Sequence, residues 1–96
     1  MTEDLDTRLQ RLQASDDVYA LIDLGCDLAD VGRQTDAERC FRRAADLGDS
    51  VAAFNLGNAL AAQKRLPEAV EAYEVALSAG EPDAWRNLAK VLEELE

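Results

Sequence analysis

The sequence contains no histidine, and its two cysteines, Cys26 and Cys40, lie too far apart to form a Cys-x-x-Cys motif. Without histidine there is neither a Ser–His–Asp triad nor a histidine general base. A structural zinc site needs four ligands, which two thiols alone do not supply. The sequence also lacks a glycine-rich phosphate loop and a dinucleotide-binding fingerprint. We therefore predict no metal, no cofactor and no enzymatic activity.

Long apolar runs are missing as well. The first six residues are acidic and no hydrophobic stretch follows them, unlike a secretory signal peptide. No segment is long and apolar enough to span a bilayer. We expect a cytoplasmic protein whose thiols stay reduced. The basic residues are mostly arginine and alanine is abundant, a composition typical of a GC-rich bacterial genome.

Positive charge is scarce, because 20 acidic residues outnumber 10 lysines and arginines and give a net charge of −10. Nucleic acids bind through cations that displace phosphate counterions, and anionic membranes attract basic segments. We therefore expect neither a nucleic-acid partner nor a membrane partner. An acidic surface fits a protein partner with basic residues, although it equally serves solubility.

Cys26 is the remaining candidate for chemistry. No cation lies at helical spacing to lower its pKa, and Asp23, Asp27 and Asp30 would raise it. Cys40 stands beside Phe41, which favours a structural role. The many carboxylates are expected on solvated helix faces rather than in a catalytic pair.

The strongest pattern is an internal repeat with a step of 32 residues. The step relates Leu24-Gly25, Leu56-Gly57 and Leu88-Ala89, and it pairs Ala37 with Ala69, Phe41 with Tyr73, Ala44 with Ala76, and Gly48 with Gly80. Each repeat is interpreted as a first and a second helix. Subtracting 32 from the second-helix positions Ala37, Phe41 and Ala44 gives Leu5, Leu9 and Leu12, which have helical spacing. The chain therefore begins with a second helix and ends with a first helix.

This pattern predicts an all-α protein, an α-solenoid of antiparallel helix pairs with about six helices. We expect the helices near residues 3–14, 17–31, 35–47, 50–63, 67–79 and 82–95. A single domain spans residues 1–96. It comprises an N-terminal capping helix (1–15), repeat 1 (18–49), repeat 2 (50–81) and a half-repeat or C-terminal capping helix (82–96).

Local residues support these boundaries. Thr35 and Glu38 predict a capping box, in which Thr35 accepts from the backbone and Glu38 reaches back. Prolines suit a first helical position, glycines suit the residue after a helix end, and acidic residues suit a helix start. These markers are Pro67 and Pro82, Gly48 and Gly80, and Asp17, Asp49 and Glu81.

The repeated residues resemble the tetratricopeptide repeat family, whose pattern is Trp-x2-Leu-Gly-x2-Tyr, then Ala-x3-Phe-x2-Ala, then Pro. The matching positions are Leu21, Leu24, Gly25, Leu28, Ala37, Phe41 and Ala44, then Ala53, Leu56, Gly57, Leu60, Ala69, Tyr73 and Ala76, then Trp85, Leu88, Ala89 and Leu92. The likeness covers residues 18–96 well. The step is shorter than the family's period of about 34, and only two repeats are complete where three or more are usual. A fragment, a unit stabilised by its half-repeats, and a self-associating protein are all consistent with this.

Gly25 and Gly57 lie in mid-helix, where each costs ~1 kcal/mol relative to alanine. We therefore expect close helix crossings at both glycines. Small residues are expected opposite them, namely Ala37, Ala44, Ala69 and Ala76. Phe41, Tyr73 and Trp85 are expected to fill the gaps between neighbouring helix pairs.

The resemblance implies a binding groove on the concave face, lined by the first helix of each repeat. The groove positions carried over are Tyr19, Ile22, Asp23, Cys26 and Asp30, then Val51, Phe54, Asn55, Asn58 and Ala62, then Asp83, Arg86, Asn87 and Lys90. In some family members a groove asparagine binds the backbone or terminal carboxylate of a peptide. Ile22, Phe54 and Asp83 stand where such a clamp has cations, so a carboxylate clamp is not expected. The asparagines alternatively satisfy polar groups of their own helices.

Tyr19, Ile22, Val51 and Phe54 give this face apolar character, which often marks an interaction site unless other elements cover it. We predict a protein–protein interaction module that binds a peptide or helix with basic and apolar residues. The alternative is a structural homo-oligomer assembled through the terminal half-repeats, each expected to carry an unpaired apolar face.

Overall fold

The computed structural model describes residues 3–96, which form six α-helices and no strand. The helices are α1 (Leu5–Leu12), α2 (Val18–Asp30), α3 (Gln34–Asp46), α4 (Ser50–Ala62), α5 (Leu66–Ser78) and α6 (Ala84–Glu94). Turns of three to five residues join them, so successive helices pack side by side as antiparallel neighbours. The molecule is elongated, with extents of 47 × 24 × 17 Å. The predicted all-α repeat fold is confirmed, and every helix boundary lies within two residues of its predicted place.

Each complete repeat closes around a glycine that faces an aromatic ring. A Cβ atom on Gly25 would lie 2.5 Å from Cε1 of Phe41, and one on Gly57 would lie 2.5 Å from Cε1 of Tyr73. Both rings are buried. The expected close crossings are therefore present, but a ring rather than an alanine is the nearest neighbour of each glycine. The four alanines are fully buried in the same core: Ala37, Ala44, Ala69 and Ala76.

The helix ends depend on residues in the left-handed region. Gly48 and Gly80 have φ angles of +100° and +102°, as predicted for the residue after a helix end. The turns after α2 and α4 use Gly32 (φ +82°) and Lys64 (φ +59°), which the step of 32 residues relates. Lys64 adopts a conformation that glycine takes more easily.

The helix starts agree with the sequence only in part. The side chains of Asp17 and Asp49 cap α2 and α4 by accepting from the backbone N–H three residues further on, at 3.1 and 2.8 Å. Glu81 does not cap α6, which has no side-chain cap. Pro67 is the second residue of α5 rather than the first, and Pro82 lies in the turn before α6.

The predicted capping box at Thr35 is wrong. α3 begins one residue earlier, at Gln34, and its N-cap residue Arg33 makes no side-chain capping bond. Glu38 is buried and does not reach back to the helix start. Instead its carboxylate accepts from Arg65 at 2.6 Å, from Gln63 Nε2 at 3.0 Å and from Arg42 at 3.1 Å.

Two arginines tie neighbouring repeats together in the same manner. The Arg33 guanidinium lies 2.6 Å from Asp6 in α1 and 2.7 Å from Asp36 in α3. One repeat later the equivalent positions hold Arg65, Glu38 and Glu68, with both distances 2.6 Å. Each arginine therefore bridges the second helix of one repeat and the second helix of the next. These helices otherwise touch little.

The two ends of the molecule differ from each other. The leucines of α1 pack inward and its exposed residues are mostly polar, so the expected unpaired apolar face at this end is wrong. At the other end, Trp85 is 62% exposed and does not fill a gap between helix pairs, contrary to expectation. No helix within residues 3–96 covers that side of α6.

Candidate functional site: the face of the first helices

The first helices α2, α4 and α6 form one face of the molecule, called here the groove, and three hollows lie along it. The first is bordered by Cys26, Asp30, Asn55 and Asn58, and the second by Asn58, Tyr73, Asn87 and Lys90. The third is bordered by Phe54, Pro82, Asp83, Trp85, Arg86 and Asn87. Asn58 belongs to the first two hollows and Asn87 to the last two, so the hollows form one continuous surface.

The predicted site residues divide into two groups. Seven of them border the hollows: Cys26, Phe54, Asn55, Asn58, Arg86, Asn87 and Lys90. The other four, Tyr19, Ile22, Asp23 and Val51, lie on the first helices outside these hollows. Tyr19 is 84% exposed and Val51 is 43% exposed, so both rise from the surface as free apolar side chains.

Ile22 and Phe54 are half-buried and pack against the core. The Phe54 ring lies 6.1 Å from that of Tyr73, centroid to centroid, with the planes tilted by 49°. Such tilted aromatic pairs are favourable beyond the area they bury. Phe54 therefore supports the repeat with one side of its ring and borders a hollow with the other.

A small polar network lies at the centre of the groove. The Tyr73 hydroxyl donates to Oδ1 of Asn58 at 2.6 Å, and Nδ2 of Asn87 donates to the same oxygen at 2.8 Å. Burial raises the pKa of Tyr73, so its hydroxyl keeps its proton. Asn58 and Asn87 thus join α4, α5 and α6. This agrees with the alternative that these asparagines satisfy local polar groups.

The Asn58 side chain can nevertheless donate a hydrogen bond to a ligand. Its Oδ1 accepts both network bonds, and its amide nitrogen makes no hydrogen bond within residues 3–96. No described buried side-chain polar atom lacks a partner, so this amide is open to solvent. It is a donor presented to the first two hollows of the groove.

The α2 end of the groove is acidic, whereas the α6 end carries both signs, with Arg86 and Lys90 beside Asp83, Glu93 and Glu94. Burial and the carboxylates of Asp30, Asp23 and Asp27 raise the pKa of the Cys26 thiol. The same carboxylates make the potential at the α2 end negative. At the α6 end, Arg86 and Lys90 make no ion pair with any described residue. Cys26 is therefore poorly activated as a nucleophile. Burial raises the pKa of Cys40 to about 11, and this thiol is enclosed in the core.

The opposite side, called here the back face, is formed by the second helices α1, α3 and α5. It holds two hollows that the step of 32 residues relates. One lies over Leu12, Leu21 and Cys40 with Arg39 and Arg43 at its rim. The equivalent hollow lies over Ala53, Leu56 and Ala72, with Arg42, Glu68, Glu71 and Val75 at its rim.

The two hollows of this face and the two bridging arginines were not predicted from the sequence. The signal was present, because the step of 32 residues also takes Asp6 to Glu38, Arg33 to Arg65 and Asp36 to Glu68.

Comparison with known proteins decides the family. A family model described as tetratricopeptide repeat matches residues 22–84, about two thirds of the chain. The chain belongs to the tetratricopeptide repeat family. The match runs from α2 to the first residue of α6 and includes both complete glycine–aromatic pairs. No curated protein matches the chain.

Tetratricopeptide repeats generally serve as protein-interaction modules and typically act as non-enzymatic scaffolds. Within residues 3–96, no group of His, Cys, Asp or Glu side chains is arranged to hold a metal ion. In the same part of the chain, none of the helices has the length and apolarity needed to cross a membrane.

Proposed function

We propose that this tetratricopeptide repeat protein binds a peptide or helix of another protein in its groove. The observation that carries the proposal is the open amide of Asn58 between the exposed Tyr19 and Val51 on one side and the Lys90 ammonium on the other. Apolar anchors with a few placed polar groups are typical of such interfaces. The partner contributes apolar side chains to Tyr19 and Val51 and a backbone carbonyl to Asn58.

The partner's orientation follows from the charges. Asp23 and Asp30 at the α2 end favour a basic segment of the partner, whereas the mixed charges at the α6 end favour neither sign. Such charges mainly accelerate association, so added salt slows binding more than it speeds release. A partner that places an acidic segment at the α2 end binds more weakly, because like charges then face each other.

Site-specific photo-crosslinking tests which face is used. A photoreactive phenylalanine analogue replaces Val51 on the groove or, as the matched control, Val75 on the back face. Both are exposed helical valines, at 43% and 55% exposure. Expressed in the native host, the Val51 protein should crosslink to a partner that the Val75 protein does not capture. Capture only from Val75 would move the binding site to the back face and refute the proposal.

A binding isotherm with the captured partner then measures individual residues. Tyr19→Ala should weaken binding by ~1–3 kcal/mol, because exposed aromatic anchors dominate affinity. Its stability should stay unchanged, since the ring is 84% exposed. Phe54→Ala should weaken binding similarly but also lower stability, because its ring packs on Tyr73. Arg42→Ala on the back face is the control and should bind like the parent.

A further inference from the structure

The side of α6 that faces away from α5 carries apolar residues at positions that complete repeats bury. Trp85 and Leu92 are 62% and 44% exposed, and Ala89 lies between them. The step of 32 residues equates these three with Leu21, Gly25 and Leu28 in α2 and with Ala53, Gly57 and Leu60 in α4. In those repeats Leu21, Leu28, Ala53 and Leu60 are at most 1% exposed, because α3 and α5 cover them.

Ala89 limits what can cover this side of α6. In the complete repeats the covering helix places an aromatic ring over a glycine, and a Cβ atom there would lie 2.5 Å from a ring carbon. Ala89 has that Cβ atom, so an aromatic ring cannot approach α6 as Phe41 approaches α2. The covering helix must carry a small residue opposite Ala89 and fit larger residues against Trp85 and Leu92. A second copy of α6 has this order of sizes when it runs in the opposite direction.

The charges beside this face are self-complementary in the same arrangement. Arg86 and Glu93 are seven residues apart and therefore lie on the same flank of α6. They are too far apart to pair with each other, and neither makes an ion pair with any residue in 3–96. Antiparallel pairing places Arg86 of each copy beside Glu93 of the other, which gives two equivalent ion pairs.

We propose that α6 pairs antiparallel with α6 of a second copy about a two-fold axis near Ala89. Trp85 of each copy packs on Leu92 of the other, Ala89 meets Ala89 at the axis, and Arg86 and Glu93 form the two flanking ion pairs. This dimer goes beyond the proposed groove function, and it shares Trp85, Arg86 and Glu93 with the α6 end of the groove. An isologous contact of this kind closes on itself, so assembly stops at two copies.

The contact is small. α6 has 11 residues and is about 16 Å long, so the pair buries well under the roughly 1,600 Å² of a standard interface. We therefore expect a weak dimer. Trp85 is the single tryptophan in the chain, so the fluorescence of the protein reports on the burial of this one ring.

Sedimentation equilibrium and Trp85 fluorescence from about 10 µM to about 1 mM protein test the dimer directly. The parent should associate as concentration rises, and its emission should shift to shorter wavelength as Trp85 becomes buried. Arg86→Glu and Glu93→Arg should each weaken association by roughly tenfold, because like charges then face each other twice. The double variant Arg86→Glu/Glu93→Arg should restore association to within about threefold of the parent.

Lys90→Glu is the matched control, because it makes the same charge change on the same helix but further round from the paired face than Arg86 and Glu93. It should associate like the parent, and so should Tyr19→Ala, which separates the dimer from the groove function. A parent that stays monomeric at about 1 mM overturns the proposal. So does a dimer that the double variant fails to restore, because another surface or another occupant would then account for it.

Discussion

Replacing Gly25 by alanine should destabilise the protein, although alanine is the better helix former. The added Cβ atom would lie 2.5 Å from Cε1 and 2.8 Å from Cδ1 and Cζ of Phe41. Carbon atoms in ordinary contact are about 3.5–4.0 Å apart, so the ring or the helix has to move by roughly 1 Å. The ring cannot move freely, because Phe41 is only 3% exposed.

Two opposing terms set the size of this effect. Overpacking a well-packed core costs ~1–3 kcal/mol, whereas replacing glycine by alanine in mid-helix gains ~1 kcal/mol. We expect Gly25→Ala to lower the free energy of unfolding by about 1 kcal/mol net. For a chain of 96 residues this lowers Tm by about 4–8 °C.

Urea and thermal unfolding of a double-mutant cycle measure the coupling. In the Phe41→Leu background the ring is gone, so Gly25→Ala should become neutral or stabilising by up to ~1 kcal/mol. Ala89→Gly is the control, because Ala89 is equivalent to Gly25 and no aromatic ring within residues 3–96 covers it as Phe41 covers Gly25. This change should lower the free energy of unfolding by ~1 kcal/mol. If Gly25→Ala stabilises the parent, or if its effect is the same with and without the ring, the steric argument is refuted.

Three further predictions concern Glu38, the two thiols and Tyr73. Burial alone would raise the pKa of Glu38, but hydrogen bonds from Gln63 and Arg42 and the Arg65 charge outweigh it and lower that pKa. The stabilisation by Glu38 is therefore present above its unfolded-state value and lost as pH falls through the lower folded-state value. In urea titrations Glu38→Gln should cost about 1 kcal/mol near pH 7 and progressively less as pH falls below the unfolded-state pKa, and a cost that does not change with pH would contradict this reasoning. In thiol titration with Ellman's reagent, Cys26 should react slowly and Cys40 only after unfolding; rapid reaction of both thiols in the folded protein would be inconsistent with this packing. Tyr73→Phe should cost about 1 kcal/mol in thermal unfolding, because its hydroxyl bond to Asn58 is lost, and an unchanged Tm would count against that bond.

Repeat spacing allowed most of the fold to be predicted, because the same buried positions recur every 32 residues. The helix ends before Gly48 and Gly80 were predictable because the residue after a helix end often has a left-handed conformation, which glycine adopts easily. The capping box at Thr35 failed for a physical reason. Glu38 gains more from three partners on α3 and the α4–α5 turn than it would from a single backbone N–H at a helix start.

The candidate site was harder to predict than the fold. Register placed side chains on the face of the first helices, but it could not show that Tyr73 from a second helix reaches Asn58 there. Nor could it show that Phe54 is half-buried against the Tyr73 ring. The position of Trp85 was misjudged because its equivalents, Leu21 and Ala53, are buried by helices that α6 lacks within residues 3–96.

The bridging arginines have a consequence for how the molecule opens. α1 has only eight residues, which is too short to be a stable helix in water by itself. It is attached by the buried Leu9 and Leu12, by the partly buried Leu5, and by the ion pairs Arg33–Asp6 and Arg8–Asp27, both of which involve exposed carboxylates. Acid or salt weakens these pairs before it disturbs the glycine–aromatic cores. Hydrogen exchange should therefore be fastest in α1, which detaches as a separate cooperative unit while the two complete repeats stay folded.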